Sequence, residues 1–387
     1  MYGKMSPLAK ALLNELRDIR LGQGKTPEQV ESDLIIGPGW IEEIETGVVE
    51  PLLDDFLYLA HSFGKELSGI YPKGHQFSAD AFPTGLSRTM RAIEVDGALE
   101  IHFKYSQYDA TYILPGATLS EYEEVIRKLR DGLALLDAED AQTHRQIKAN
   151  AVTAAFLRGV SLWPDANPSD IWWFIIYRAY CEPFNHPAAF SRLSFDQSWK
   201  RTGGWALEKI LVQHYQNALK QHDVNIEIVE GQRKRDLLDS LNIPERLESD
   251  KVDVYLTDDR GKCFGIVNVK ASFAERRTDD VPMSQALIRA GYYSALWTMD
   301  CKSTPSKTPV NRGELGAVEG KRSAKRVDIE DDGLFSACFS YNRNTAATPE
   351  DRDAKARVIV CNFQDPNDAF LENVVAAKDA FKNRTSN

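Results

Sequence analysis

The residues best suited to chemistry lie on two consecutive predicted strands, residues 251–257 and 263–273, which are joined by a tight turn. Asp253 lies on the first strand, and Asn268 and Lys270 lie on the second, two residues apart and therefore on one face. A carboxylate beside such a lysine can hold a hard divalent cation through oxygen, while the lysine stabilises negative charge that develops on a phosphoryl group. The pattern therefore favours metal-dependent hydrolysis of a phosphodiester.

This set of residues resembles the PD-(D/E)xK core of nucleases, with one departure. That core has Asp or Glu two residues before the lysine, and this chain has Asn268 there. An amide oxygen can coordinate Mg²⁺ but adds no charge, so a further carboxylate is expected from another element. Glu208 is the best candidate, because it lies on a helix predicted to begin just after Gly203-Gly204, ahead of the sheet.

Two charged residues shortly after the lysine, Glu275 and Arg276, have the chemistry needed to read bases. Arginine can donate two hydrogen bonds to guanine N7 and O6, and glutamate can accept one from cytosine N4. One adjacent pair can therefore read neighbouring C and G. An exposed turn closed by a salt bridge is the alternative interpretation.

These features make the region of about 195–300 similar to the type II restriction endonucleases of the CCGG-recognising PD-(D/E)xK group, the group of BsaWI and AgeI. The resemblance implies an enzyme that cleaves double-stranded DNA at a palindromic site with a CCGG-type core by Mg²⁺-dependent hydrolysis. It also implies a homodimer that matches the palindrome, and a companion DNA methyltransferase in the same system.

The resemblance also implies roles for individual residues of the active site and of the DNA contact. These are the metal ligands Glu208 and Asp253, the catalytic Lys270 with Asn268 at the variable position, Glu275 and Arg276 reading the core, and Arg277 at flanking bases or phosphates. Many members of the group have a second acidic residue about fourteen positions after the lysine. This chain has Ser284 and Gln285 in that region, so the site is expected to depend on Glu208.

The N-terminal part has a different pattern, a series of short amphipathic helices. Residues 6–71 resemble the Cro/repressor-type helix-turn-helix domain, often called the Xre class. Its third helix should present basic or amide groups to DNA, but the matching stretch has Glu42, Glu43 and Glu45. A protein–protein or regulatory role therefore stays open beside DNA contact.

The predicted elements divide the chain into three parts. Residues 1–75 form the all-α helix-turn-helix domain, and residues 76–140 form a small α+β module or an extension of it. Residues 141–387 form an α/β endonuclease domain, a mixed sheet flanked by helices in the restriction-endonuclease-like PD-(D/E)xK fold. Residues 284–299 are predicted to be a helix, and a capping box at Ser120 and Glu123 is predicted to begin another.

The net charge of −10, taken alone, argues against a DNA partner, but the acidic residues are concentrated in the N-terminal part of the chain. Residues 1–140 carry 24 acidic and 13 basic residues, a net of −11, so the remainder carries +1. Residues 301–326 are basic and rich in Ser, Thr, Pro and Gly, which indicates a mobile loop that is either solvated or a phosphate contact.

Other features bound the class of protein. No apolar run approaches the roughly 20 residues that a membrane helix needs, so no membrane association is expected. The five cysteines are scattered, which is typical of reduced thiols in the cytoplasm. Two alternatives to a restriction enzyme stay open: a DNA-binding regulator whose nuclease core has decayed, as Asn268 could indicate, and a nuclease of modified DNA.

Overall fold

The computed structural model describes most of the chain in two compact units, Met1–Leu86 and Ser87–Asn387. The residues it describes are 7–34, 36–46, 48–49, 51, 53–65, 88–105, 108–133, 141–181, 195–243, 252–272, 277–301, 309–316 and 322–385. No helix in these ranges is both long enough and apolar enough to span a membrane.

The first unit contains four described helices. They are α1 (Pro7–Gly22), α2 (Pro27–Leu34), α3 (Trp40–Thr46) and α4 (Leu53–Ser62). One apolar face of each packs into a shared core that includes Leu16, Val30, Ile44 and Leu59. This arrangement is a small helical bundle, and its assignment as a helix-turn-helix domain stays a prediction.

Two acidic residues of this unit have structural partners. Glu45 on α3 accepts hydrogen bonds from Arg20 at 2.7 and 2.8 Å. Glu31 is buried and accepts from the backbone N–H groups of Gly39 and Ile41, so it caps the start of α3 from a neighbouring helix. Part of the acidity of the first unit therefore serves packing between its own helices.

The second unit begins with a three-stranded antiparallel sheet. Its strands are β1 (Arg88–Val95), β2 (Ala98–Tyr105) and β3 (Tyr108–Pro115), followed by α5 (Leu119–Leu133). The capping box predicted at Ser120 and Glu123 is wrong by two residues: Thr118 and Glu121 form it, each backbone N–H donating to the other's side chain. The division between units at Leu86 differs from the predicted boundaries at 75 and 140, because α5 packs along the next helix of the second unit.

Three long helices connect this small sheet to the main sheet. They are α6 (Ala141–Leu162), α7 (Pro168–Cys181) and α8 (Phe195–Lys220). The pair Gly203-Gly204 lies inside α8, whereas the sequence predicted that the helix begins just after it. Gly203 is buried beside Trp172 of α7, and α8 also packs against α6.

The main sheet has six strands in sequence order, β4 to β9. They are β4 (Val224–Glu227), β5 (Val254–Asp258), β6 (Cys263–Lys270), β7 (Tyr293–Thr298), β8 (Ala337–Ser340) and β9 (Val358–Val360). Strands β4 to β6 are antiparallel, and β6 to β9 are parallel. The helices that flank it include α9 (Gly231–Ser240), α10 (Arg277–Arg289), α11 (Ala324–Glu330) and α12 (Ala369–Thr385). The expected mixed sheet flanked by helices is confirmed.

One predicted helix, residues 284–299, is wrong at both of its ends and is confirmed only over residues 284–289. Helix α10 already begins at Arg277 and ends at Arg289, Gly291 follows with a φ of +84°, and the chain then enters β7. Five of the six residues of β7 are buried, so both of its faces are covered by other parts of the protein. A strand that is buried on both faces lacks the alternation of apolar and polar residues that identifies a strand, and it is easily taken for a buried helix.

The basic segment 301–326 is more structured than its composition indicates. Arg326 is fully buried and donates to Glu330 Oε1 at 2.7 Å, and Arg322 pairs with Glu330 and Asp331. These two charges are neutralised inside the protein, so they do not form a mobile phosphate contact. Residues 302–308 and 317–321 lie outside the described ranges.

Candidate active site

Asp253 and Lys270 meet because β5 and β6 are antiparallel neighbours. Asp253 immediately precedes β5 and Lys270 ends β6, and Lys270 Nζ donates to Asp253 Oδ2 at 2.7 Å. The backbone N–H of Val269 donates to the same oxygen at 2.8 Å. The side chains are only 9% and 11% exposed, so little solvent screens their interaction. The structure thus brings together two residues that the sequence selected.

A second carboxylate reaches the same lysine, and the sequence analysis missed it. Asp280 Oδ2 lies 3.4 Å from Lys270 Nζ, and the Asp280 side chain is 2% exposed. The residue lies on α10, in the stretch that the sequence analysis placed ahead of its predicted helix. Asp280 and Ser284 are four residues apart on α10 and so lie on one face. Asp280 thus lies one helical turn before Ser284, and a correct start of α10 would have placed it on that face of the helix.

Asn268 is held in place by the neighbouring strand. It is fully buried, and its Nδ2 donates to Ser294 Oγ at 3.3 Å and to the carbonyl oxygen of Ala295 at 3.1 Å. A carboxylate has no proton to donate to that carbonyl, which gives a structural reason for an amide here. Among the described residues, none donates a hydrogen bond to Asn268 Oδ1, so this oxygen keeps its acceptor capacity.

Glu208 lies on α8 and interacts electrostatically with the pair on the sheet. Burial, and next the negative charge of Asp253, raise the pKa of Glu208 to about 8. The positive charges of Arg145, Lys270 and Lys234 oppose this rise. A carboxyl group with such a pKa is largely protonated at neutral pH until a further positive charge arrives.

The donor set of this site fits Mg²⁺. Asp253, Asp280 and Glu208 offer carboxylate oxygens, and Asn268 adds an amide oxygen, all hard ligands. Magnesium is commonly held by one or two protein carboxylates, with water and substrate phosphate completing its octahedron. The described ranges contain no group of three or more His, Cys, Asp or Glu residues close enough to hold a metal, so these three carboxylates do not form a preformed site.

The residues predicted to read bases cannot be placed. Glu275 and Arg276 lie outside the described residues. Arg277 begins α10, but its side chain is not described. Their roles stay predictions. In the sequence, they lie between the end of β6 and α10, the helix that carries Asp280.

Comparisons with known proteins find relatives by sequence and by structure. The type II restriction enzyme AgeI from Thalassovita gelatinovora is 35% identical over 240 residues, which cover 59% of this chain and 83% of that protein. The crystal structure of a specific AgeI–DNA complex matches with a TM-score of 0.61 and 29% identity, over 75% of this chain and 99% of that one. A pre-specific BsaWI–DNA complex matches with a TM-score of 0.33 and 15% identity, over 68% and 93%. No protein-family model matches the chain.

Proposed function

This chain belongs to the AgeI-like type II restriction endonucleases, and we propose that it hydrolyses double-stranded DNA at a palindromic site with a CCGG-type core, using Mg²⁺. The observation that carries the assignment of the active site is the buried contact of Lys270 with both Asp253 and Asp280. Two carboxylates share one ammonium group there, and the excess negative charge suits a divalent cation.

The side chains divide the work between them. Asp253 and Asp280 orient Lys270 Nζ, which is then placed to donate a hydrogen bond to the phosphate oxygen on which charge develops. Glu208 and Asp253 are the proposed metal ligands, and loss of the proton from Glu208 would make its oxygens available. Glu208 and Asp253 would hold the cation where it would polarise the phosphate and lower the pKa of a water.

Recognition of the CCGG-type core is proposed for Glu275 and Arg276, with Arg277 at flanking positions. An adjacent acidic and basic pair matches the donor and acceptor pattern of neighbouring C and G in the major groove. A palindromic site is read by two identical subunits, so a homodimer is proposed as the active species. A companion methyltransferase would protect the host's own sites, and the enzyme would act in the cytoplasm.

Digestion of plasmid DNA of known sequence tests the proposal. In Mg²⁺ we expect discrete fragments whose ends all map to sites with a CCGG-type core, and in EDTA we expect none. Lys270→Ala is the matched inactive control. Fragments that map to unrelated sequences would reject the proposed core. Binding without cleavage would support the regulator with a decayed nuclease, and cleavage of modified plasmid alone would support a nuclease of modified DNA.

A further inference from the structure

Two charged residues beside the active site, Arg145 and Glu230, take no direct part in the chemistry above. We propose that Arg145 contacts a DNA phosphate next to the cleaved one, and that Glu230 forms an ion pair with Arg145 until DNA binds. This inference rests on DNA being the substrate, and it assigns a positioning residue that catalysis does not itself require.

Arg145 on α6 is held in a way that prepares it for a phosphate. Its guanidinium lies 4.3 Å above the ring of Trp205, and Arg145 Nη1 lies 2.9 Å from Glu230 Oε1. Stacking on an aromatic face restrains the plane of the guanidinium and leaves the N–H groups at its edge free to donate. The guanidinium is then pre-organised for two parallel hydrogen bonds to an anion.

This arginine lies close to the active site. Trp205 and Glu208 are three residues apart on α8 and so lie on one face. Arg145 also acts on the charge of Glu208, as do Lys234 and Lys270. Lys234 on α9 donates to the carbonyl oxygen of Val252, the residue before Asp253. Cations from α6, α9 and β6 therefore act on the same carboxylate.

The ion pair with Glu230 is of a kind that DNA can replace. The side chains of Arg145 and Glu230 are 32% and 49% exposed. Exposed pairs of this kind contribute little to stability, because water screens them and both side chains lose freedom. A DNA phosphate offers the same charge and two acceptor oxygens, within a polyanion whose binding releases counterions. Glu230 is thus a substitute for a phosphate in the DNA-free protein.

The test compares the full-length wild-type protein with Arg145→Ala, Glu230→Gln and Arg158→Ala. Arg158 is the matched control: it lies on the same helix, pairs with Glu124 at 2.8 Å, and has similar exposure. It is 13 residues further along α6, which is about 20 Å. Affinity for a short DNA duplex is measured in EDTA over a range of salt concentrations, and plasmid cleavage is measured in Mg²⁺.

Arg145→Ala should weaken binding about tenfold at low salt and reduce the slope of log affinity against log salt by about one. Glu230→Gln should tighten binding a few-fold with the slope unchanged, and Arg158→Ala should alter neither. Suppose that the wild-type protein cleaves DNA and that Arg145→Ala leaves the slope of log affinity against log salt unchanged. That result would overturn this proposal alone, even if the variant were less stable. A wild-type protein that neither binds nor cleaves DNA would overturn the proposed function as well.

Discussion

Two clusters of buried charge in the second unit differ in their balance. Around α11, the three arginines Arg322, Arg326 and Arg352 pair with the two acids Glu330 and Asp331. At the end of β6, one lysine meets the carboxylates of Asp253 and Asp280, and Glu208 lies within electrostatic range. Among the side chains in ion pairs, the first cluster has three cations for two acids, whereas the second has one lysine for two carboxylates.

The pKa values of the acids reflect that balance. Hydrogen bonds from Thr348 and from the arginines, together with their charge, outweigh burial and hold the pKa of Glu330 below its usual value. Burial and Asp253 instead raise the pKa of Glu208 to about 8. A cluster that satisfies its own charges stabilises the fold, while a cluster short of positive charge is prepared to bind a cation. The comparison thus separates a structural network from an active site without reference to any relative.

The largest expected effect is that of Lys270→Met, which keeps the length of the side chain and removes its charge. Removal of one preorganised donor to a developing charge typically lowers the rate by about 10²–10³-fold, and the loss here should reach the upper end because Lys270 is also the shared partner of two acids. Single-turnover cleavage measures the rate, and circular dichroism checks folding. A rate within a few-fold of wild type would remove Lys270 from the chemistry.

Arg326→Met should affect stability and leave the chemistry unchanged. The side chain is fully buried and donates to Glu330 and to the backbone carbonyl oxygens of Leu315 and Ala346. Arg322 and Arg352 still pair with Glu330, so the cost is that of the buried hydrogen bonds that Arg326 donates, about 1–3 kcal/mol of unfolding free energy. Chemical denaturation measures that loss, with cleavage assayed where the variant is still folded. A stable variant that fails to cleave would mean that the α11 cluster belongs to the active site.

A smaller effect is expected in the pH dependence of metal binding. Below about pH 8, Mg²⁺ has to displace the proton of Glu208, so its apparent affinity should rise up to about tenfold per pH unit towards that pH. The stability of the metal-free protein should change with pH in the opposite direction. Without metal, the folded state holds a proton that the unfolded chain loses above about 4.5, so stability falls as pH rises from there to about 8.

Glu208→Gln provides the matched variant for this pH effect. The amide cannot titrate, so both the pH dependence of Mg²⁺ affinity and the decline of metal-free stability across this window should become smaller. Calorimetric titration with Mg²⁺ and thermal unfolding in EDTA measure the two quantities. Identical pH profiles in wild type and variant would show that another group binds the proton.

The sequence predicted the part of the site that depends on local pattern. Asp253 and Lys270 follow from alternation along two strands and a short connection, and the structure places them in contact. Asp280 depended on the start of α10, which was placed at Ser284 although the helix begins at Arg277 and contains Pro282, a residue that rarely lies inside a helix. The burial of Arg326 depends on partners four to twenty residues away, and no local pattern encodes it. The reason for an amide at Asn268 likewise lies on another strand, at Ala295.

The central claim is that Asp253, beside Lys270, helps to hold the Mg²⁺ that cleavage requires. It is tested most directly by single-turnover plasmid cleavage over a Mg²⁺ titration, with wild type and Asp253→Asn compared. The asparagine retains shape and can still accept a hydrogen bond from Val269, but it loses the charge. We predict a rate that saturates with Mg²⁺ in the wild type and is strongly reduced in the variant at every Mg²⁺ concentration. Equal rates and equal Mg²⁺ midpoints in the two proteins would contradict the account.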